Sequence, residues 1–390
     1  MQISDAFDAG NIAVRAIEGD RARLAIKPDP GEDGFFQWFY FRVAGATGRS
    51  IELVIENAGE ASYLKGWEAY RACLSYDRET WTRAETHYAD GRLTIRLDPV
   101  EADLVWLAYF APYSRERHHD LIAACQTKPR CRHEVLGKTL DGEDLDLLTI
   151  GDPDPDRKGS GKKALWAIAR QHPGESQAEW WMEGFLARLL DPDDPVSRAL
   201  LERAVVYIVP NMNPDGSRRG HLRTNALGAN LNREWDKPSL ERSPEVYHTL
   251  AKMDATGVDV CLDVHGDEGL PYVFIAGGES APAFDDRLEG LLAQFQAELA
   301  RANPDFQTEH GYPKAARGSA KTLSTSTKQI TERFGALAMT LEMPFKDNAD
   351  APDLRYGWSP ARCRLIGRAC VDALYRTLPS LDGDPAPEGG

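Results

Sequence analysis

The first third of the chain alternates short apolar runs with polar turns. The runs are rich in aromatic and β-branched residues and cover residues 12–17, 35–43, 51–55, 93–97 and 104–110. Gly and Asp residues separate them, a pattern typical of strands joined by tight turns. Asp90-Gly91 directly precedes one run and predicts a hairpin, because both residues tolerate positive φ. The pattern predicts an antiparallel β-sandwich domain over residues 1–114.

After about residue 113 the pattern changes to apolar strands alternating with longer helical stretches. Strands are predicted at 145–150, 164–169, 205–209, 258–264 and 336–341. Residues 176–190 have helical spacing, with Trp181, Phe185, Leu186 and Leu189 on one side. Alternating strands and helices are typical of α/β folds. We therefore predict an α/β domain over residues 115–379.

Two segments have the composition of exposed chain. Residues 152–163 are rich in Pro, Asp, Gly and Lys and are predicted to form a surface loop. Residues 380–390 have a similar bias and are predicted to be a flexible tail.

Composition narrows the range of partners and environments. The 390 residues carry a formal charge of -15, which argues against nucleic acid and anionic membranes as partners of the surface. No apolar stretch is long enough to span a bilayer, and the N-terminus lacks the features of a secretory signal. The six cysteines are dispersed without a CxxC pair, which favours reduced thiols. We expect a cytoplasmic protein, and the sequence leaves its oligomeric state open.

The first motif of chemical interest is residues 171–175, QHPGE, between a predicted strand and a predicted helix. Pro and Gly form a tight turn, so His172 and Glu175 can converge on one point. An imidazole and a carboxylate are ligands that zinc accepts. Alone, this HxxE pattern is weak evidence, because chance surface matches are common.

His265 is the candidate partner of that motif. It follows an apolar strand in LDVHGD, where a lone histidine is more often structural. However, the carboxyl ends of neighbouring strands in an α/β sheet meet at one edge. Because both motifs end strands, we expect His172, Glu175 and His265 to lie close enough to share a metal ion.

Two further motifs complete the pattern. The first is NPDG at 213–216, followed by Arg223 and by LNR at 231–233. By itself NPDG indicates only a turn. The second is Glu342 in LEMPF, which alone is best read as a strand-end carboxylate facing solvent. In this order, the four motifs resemble the zinc carboxypeptidases over residues 115–375, especially their cytosolic carboxypeptidase-like branch.

The resemblance implies a fold and a mechanism. The fold is a mixed central sheet flanked by helices, preceded by a β-rich domain as in the cytosolic branch. His172, Glu175 and His265 would hold one zinc ion per chain. Glu342 would be the general base that deprotonates zinc-bound water, and Arg223 would polarise the scissile carbonyl.

The resemblance also implies how substrate is bound. Peptide or protein C-termini are the expected partners, and Asn232 and Arg233 would hold the terminal carboxylate. Tyr312 is the candidate for the tyrosine that closes over bound substrate. Lys328 lies in the segment that supplies the floor of the side-chain pocket, which predicts removal of acidic residues. Arg218 and Arg219 are candidates to add positive potential at the mouth of the cleft, and the sequence is equally consistent with all three of these cations being ordinary solvated surface charges.

Two alternative functions remain at this point. A zinc amidohydrolase that deacylates amino-acid conjugates uses a similar HxxE and His set, but NPDG and LNR argue against it. A binding pseudoenzyme would keep the fold without turnover, and the complete ligand set together with Glu342 argues against that.

Overall fold

The computed structural model describes residues 1–152 and 161–382. Most of the predicted loop at 152–163 and of the predicted tail at 380–390 lies outside these residues. No helix within the described ranges is both long and apolar enough to cross a bilayer. All six cysteines are free thiols; Cys131 is partly exposed and the other five are buried.

The N-terminal strands form two sheets around a shared apolar core. In the described residues these are β1 Gln2–Ser4, β2 Ala13–Glu18, β3 Arg21–Ala25, β4 Tyr40–Ala44, β5 Ile51–Ile55, β6 Cys73–Ser75, β7 Thr82–Arg83, β8 Glu85–Ala89, β9 Arg92–Leu97 and β10 Leu104–Ala108. The sheet orders are β1-β4-β10-β6-β7 and β2-β3-β5-β9-β8. Leu53 and Ile95 of one sheet and Phe41 and Leu107 of the other are buried in the core. The predicted antiparallel fold is confirmed, with one parallel pair, β3 with β5.

The Asp90-Gly91 hairpin is confirmed. These two residues connect β8 to β9, and their φ angles are +50° and +73°. Positive φ at both central positions is the geometry of a type I′ turn, which matches the twist of the flanking strands.

The strand predicted at 35–43 is shorter than expected, because β4 begins only at Tyr40. Residues 35–39 are irregular, and their polar groups bond to other loops. Phe36 N donates to Ser62 Oγ at 2.9 Å, and Gln37 Nε2 donates to the Tyr63 carbonyl at 3.0 Å. This segment bonds to the 62–65 loop of the same domain, a tertiary contact that its apolar pattern did not reveal.

The C-terminal part contains the mixed sheet. Its strands in the described residues are β11 Cys131–Lys138, β12 Asp144–Ile150, β13 Lys163–Ala169, β14 Ala204–Val209, β15 Val260–Asp267, β16 Phe274–Gly277 and β17 Leu337–Pro344. The order is β11-β12-β14-β13-β15-β17-β16. The four central strands are parallel, whereas β11, β12 and β16 pair antiparallel. The carboxyl ends of β13, β15 and β17 therefore lie side by side.

Helices cover both faces of this sheet, which confirms the predicted architecture. They are α1 Arg115–Gln126, α2 Gln177–Leu189, α3 Pro195–Arg203, α4 Pro214–Arg219, α5 Pro244–Thr256, α6 Asp286–Ala302, α7 Ser326–Phe334 and α8 Pro360–Thr377. Alternate residues of the central strands enter two apolar clusters, for example Leu165 on the side of α2 and Trp166 on the side of α5. Such two-sided burial is typical of parallel strands.

Helices α2 and α8 approach each other closely because each has a glycine that faces the backbone of the other. A Cβ at Gly184 would lie 2.2 Å from the Arg364 carbonyl oxygen, and a Cβ at Gly367 would lie 2.2 Å from that of Trp181. No side chain larger than hydrogen fits at such distances. The pair fixes α2, whose N-terminus follows the QHPGE turn.

The sandwich packs against the end of β17. The Phe345 ring, directly after the strand, stacks on Tyr109 with centroids 4.6 Å apart. Arg83 of β7 donates through Nη2 to the carbonyls of Phe345 and Lys346, each at 3.0 Å. The strand that carries Glu342 is thus held at its carboxyl end by the N-terminal domain.

Candidate active site

The three candidate metal ligands converge at the carboxyl edge of the mixed sheet. His172 and Glu175 lie on the turn after β13, and His265 lies near the end of β15. Glu175 Oε1 is 2.7 Å from His172 Nδ1, and Glu175 Oε2 is 2.7 Å from His265 Nδ1. The two Nδ1 atoms are 3.2 Å apart. All three side chains are buried, and their donor atoms lie within 4.8 Å of one another.

The second nitrogen of each imidazole faces an oxygen that orients the ring. His172 Nε2 lies 3.1 Å from Asn230 Oδ1, and His265 Nε2 lies 2.9 Å from Asp263 Oδ2. Asp263 also accepts from Gln171 Nε2 at 2.6 Å and from the Ser326 hydroxyl. The hydrogen bond to Asn230 selects the His172 tautomer whose free nitrogen points at a metal, and the nearby Asp263 carboxylate favours a proton on His265 Nε2. Both Nδ1 atoms therefore face the same point.

The electrostatics of this cluster suit a cation. Burial and the nearby charge of Arg223 lower the pKa of His172 to about 4, so its imidazole is neutral at neutral pH. Burial alone raises the pKa of Glu175, but His172 and His265 outweigh this and lower it, so it is ionised. Two imidazole nitrogens and one carboxylate are the donor set of several catalytic zinc sites. The residues therefore fit a zinc ion.

Glu342 lies beside this cluster on β17. It is directly opposite His265 in the β15–β17 register. Its Oε1 accepts from the Tyr312 hydroxyl at 3.0 Å, and that hydroxyl also lies 2.7 Å from Asp267 Oδ2. Its Oε2 has no hydrogen-bond partner within the described residues. Burial raises the pKa of Glu342 well above its usual range; His265 opposes this and Glu175 adds to it.

Arg223 is enclosed by aromatic side chains of the sandwich. Its guanidinium carbon lies 5.7 Å from the Phe35 ring centroid and 5.6 Å from that of Tyr63. Burial alone lowers the pKa of Arg223, but the acidic groups around it, Tyr63 and Glu175 first, outweigh burial and raise it. Arg223 therefore stays charged in a site with several carboxylates.

Asn232 and Arg233 lie on a single 3₁₀ turn, Leu231–Arg233. The Asn232 side chain is buried, and its Oδ1 accepts from Ser326 N at 2.9 Å. This bond orients the amide, and Nδ2 has no partner in the part of the chain that the structure describes. Arg233 is exposed, and its Nη1 donates to the Asn232 carbonyl at 2.6 Å.

All nine predicted site residues line one cavity of about 660 Å³. They are His172, Glu175, Arg223, Asn232, Arg233, His265, Tyr312, Lys328 and Glu342. Lys328 has no ion-pair or hydrogen-bond partner within the described residues. Thr327 and Thr340 stand beside it, with their hydroxyls 2.7 Å apart. The volume of this cavity lies within the range typical of ligand-binding pockets.

Arg218 and Arg219 do not line this cavity, so the sequence expectation for them is wrong. Arg218 Nη2 lies 2.7 Å from Asp141 Oδ2, and Arg219 Nη2 lies 2.6 Å from Asp141 Oδ1. The short helix α4 ends in these arginines and directs them toward the β11–β12 turn. Both arginines form ion pairs with Asp141 there, outside the cavity.

Sequence reasoning missed several residues that line the cavity. Tyr63 and Lys65 come from the sandwich, and Asp267 and Glu268 follow His265. Asp267 and Glu268 could have been predicted from the sequence, because they lie two and three residues after the predicted ligand His265. Tyr63 and Lys65 carried no signal, since they are more than 100 positions from the QHPGE motif.

Comparison with known proteins assigns this chain to a family. Residues 119–350 match the family model described as zinc carboxypeptidase. Residues 3–110 match the cytosolic carboxypeptidase N-terminal domain. The chain belongs to the zinc carboxypeptidase family. It is therefore a metallocarboxypeptidase, a hydrolase that acts on peptide bonds, and the family implies zinc as its cofactor.

Relatives of this carboxypeptidase support the same assignment. An uncharacterized protein of Zymomonas mobilis is 51% identical over 98% of this chain and 97% of its own length. A metallo-carboxypeptidase from Pseudomonas aeruginosa, solved in complex with (2-guanidinoethylmercapto)succinic acid, is 43% identical. It superposes with a TM-score of 0.93 over 98% of this chain and 100% of its own.

Cytosolic carboxypeptidase 6 of mouse is 29% identical over 70% of this chain. That match spans only 54% of the mouse protein. The N-terminal domain and the catalytic domain of this carboxypeptidase thus both have counterparts in the cytosolic branch of the family.

Proposed function

We propose that this carboxypeptidase removes C-terminal amino acids from peptides or proteins, with one zinc ion per chain held by His172, Glu175 and His265. The observation that carries the proposal is that their three donor groups converge beside Glu342 and Arg223 in one cavity. A zinc ion there would act as a Lewis acid and lower the pKa of a coordinated water. The cytosolic N-terminal domain supports a cytoplasmic location.

Glu342 is proposed as the general base and then the general acid. Its Oε1 is held by the Tyr312 hydroxyl, whereas Oε2 lacks a partner in the described residues. A carboxylate with one oxygen anchored and one available can take a proton from the attacking water and deliver it to the leaving amine. The positive charge of the bound ion would counteract the burial that raises the pKa of Glu342.

Arg223 is proposed to stabilise the developing negative charge on the carbonyl oxygen. It stays charged, and it lies between Phe35 and Tyr63 at the cavity wall. A preorganised cation acts most strongly in the transition state, because that is when the oxygen becomes anionic. This role affects turnover more than substrate binding.

Asn232 and Arg233 are proposed to bind the terminal carboxylate. An Arg guanidinium matches a carboxylate with two parallel hydrogen bonds, and the Asn232 amide adds a third donor. The fixed orientation of Asn232 supports this, because its Oδ1 is already occupied by Ser326 N. A substrate without a free C-terminus would leave these donors unsatisfied, so the enzyme should be an exopeptidase.

A preference for acidic C-terminal side chains is the finest part of the proposal. Lys328 lines the cavity without an ionic partner in the described residues, and Thr327 and Thr340 provide hydroxyls beside it. A buried carboxylate needs such a cation and such donors to offset the cost of desolvation. The Pseudomonas relative was solved with a succinic acid derivative that carries two carboxylates and a guanidino group, so it supports carboxylate binding in a relative but does not favour an acidic over a basic side chain.

The function is tested by incubating the purified protein with a mixed peptide library, with and without a chelator. Mass spectrometry should detect loss of single C-terminal residues only when metal is present. Acylated amino acids are included as competing substrates. Their hydrolysis without peptide trimming would identify a deacylase, and absence of both reactions in the zinc-loaded protein would contradict the proposal.

A further inference from the structure

The loop that carries Arg223 is held by a carboxylate of the N-terminal domain. Asp29 Oδ1 accepts from Leu222 N at 2.7 Å, and Asp29 Oδ2 accepts from Arg223 N at 2.8 Å and Thr224 N at 2.9 Å. The Thr224 hydroxyl also donates to Oδ2, at 3.1 Å. Asp29 is 4% exposed. One buried carboxylate therefore binds three successive backbone N–H groups centred on Arg223.

The same part of the sandwich also holds the Arg223 side chain. Asp29 N donates to the Phe35 carbonyl at 2.8 Å, so the carboxylate and the Phe35 ring are parts of one loop. The Phe35 ring lies on one side of the guanidinium, and the Tyr63 ring lies at a similar distance. Cation–π contacts of this kind restrict an otherwise flexible side chain. Both the backbone and the guanidinium of Arg223 are thus oriented by the N-terminal domain.

Other contacts along this seam are backbone contacts that leave little freedom. Ala9 N donates to the Arg218 carbonyl at 2.9 Å. A Cβ at Gly228, whose φ is +87°, would lie 2.4 Å from the Pro30 carbonyl oxygen. The two domains therefore meet main chain to main chain on either side of Arg223, and Asp29 provides the charged contact in the middle.

We infer that Asp29 is a positioning residue for Arg223, and that the N-terminal domain thereby completes the carbonyl-polarising part of the active site. The inference rests on the role proposed above for Arg223. Charge-assisted bonds from a buried carboxylate are short and directional, so they set where the Arg223 Cα lies. A small displacement of a group that acts on the transition state costs far more in rate than in substrate binding.

The first test is Asp29→Asn in the zinc-loaded, full-length enzyme. The amide keeps the shape of the side chain and one acceptor oxygen, but it loses the negative charge and turns an NH₂ group toward a backbone N–H donor, so its hold on residues 222–224 is weakened. We expect kcat to fall about 10- to 100-fold on the library peptide that the unaltered enzyme cleaves best, with KM and zinc content within about twofold. An unchanged kcat would overturn the inference.

The second test asks whether Asp29 acts through Arg223. In an Arg223→Ala background, Asp29→Asn should change kcat by less than about twofold, because the group it positions is gone. A loss of the same size in both backgrounds would mean a general structural role and would overturn the inference. Asp8→Asn is the matched control. Asp8 also bonds across the domains, to Arg115 N, but does not contact residues 222–224.

The third test does not depend on peptide hydrolysis, and its Thr224→Val measurement does not depend on stable folding of Asp29→Asn. Thr224→Val removes only the hydroxyl bond to Asp29, and hydrogen exchange then reports on the backbone amides of residues 222–224. We expect faster exchange there than in the unaltered protein, and faster still in Asp29→Asn, with no change in the QHPGE turn. Unchanged exchange in both variants would overturn the inference. Absence of peptidase activity in the unaltered, zinc-loaded protein would instead overturn the proposed function.

Discussion

The two sides of the active-site cavity are built in different ways. The proposed metal side consists of His172, Glu175 and His265, which come from adjacent strand ends of one sheet. The substrate side combines Arg223 of the catalytic domain with Phe35 and Tyr63 of the sandwich. The first side is therefore made by local sequence and sheet topology, and the second depends on how two domains meet. Substitutions on the metal side should change zinc content, whereas substitutions on the substrate side should change turnover or substrate discrimination.

The largest expected effect is loss of metal after His172→Ala or His265→Ala. Changing outer-shell residues costs about 10- to 100-fold in metal affinity, so loss of a direct ligand should cost at least about 100-fold. Metal analysis of the purified variants measures this. His248→Ala is the matched control, because His248 packs against Gly137 and does not line the cavity. Full zinc content in both variants would show that His172 and His265 are not zinc ligands.

Glu342→Gln should separate chemistry from metal binding. The amide keeps the size of the side chain but cannot take a proton, so turnover should fall by about 10²–10⁴. Zinc content and thermal stability should stay near those of the unaltered enzyme. Glu298→Gln, at a surface ion pair with Arg301, serves as the control. Near-normal turnover in Glu342→Gln would show that another group is the base.

Arg233→Ala tests the substrate side. Its bonds to a terminal carboxylate are charge-assisted, so kcat/KM for peptides with a free C-terminus should fall about 10- to 100-fold. Amidated peptides should be poor substrates of both enzymes, and the variant should discriminate less between the two peptide forms. Arg242→Ala, which removes an ion pair with Glu234 outside the cavity, should change neither value. Equal cleavage of free and amidated peptides by the native enzyme would contradict the clamp.

Side-chain preference should show the smallest effect. Lys328 is only partly buried, so Lys328→Ala should reduce the preference for C-terminal Glu over Leu about two- to fivefold. Lys328→Glu should reverse it toward basic residues. The comparison variant is Lys65→Ala, because Lys65 lines the same cavity from the sandwich. Loss of preference in Lys65→Ala alone would assign the pocket cation to the N-terminal domain.

Features that depend on neighbouring residues were predicted well from the sequence. The hairpin at Asp90-Gly91 follows from residues that adopt positive φ, and the buried strands follow from apolar runs. The convergence of His172 and Glu175 follows from a Pro-Gly turn. The proximity of His265 to His172 and Glu175 could also be predicted, because neighbouring parallel strands bring their carboxyl ends to the same edge of a sheet. The resemblance to zinc carboxypeptidases then added the candidate roles.

Features that depend on contacts between distant parts of the chain could not be predicted. The residues at 35–39 were expected to continue a strand, yet they bond to the 62–65 loop. Arg218 and Arg219 were expected at the cleft and instead pair with Asp141, because α4 points them away. Nothing in the sequence near residue 223 indicates Asp29.

The sequence by itself therefore determined which candidate groups gather at the sheet edge: His172 and Glu175 on the turn after one strand, and His265 and Glu342 near the ends of two others. Those features arise from side-chain periodicity and backbone propensity, which act over a few residues. Only the tertiary structure decided what surrounds that chemistry. Asp29, Phe35 and Tyr63 reach Arg223 across about 160–195 positions of chain, and contacts at that separation depend on the packing of whole domains.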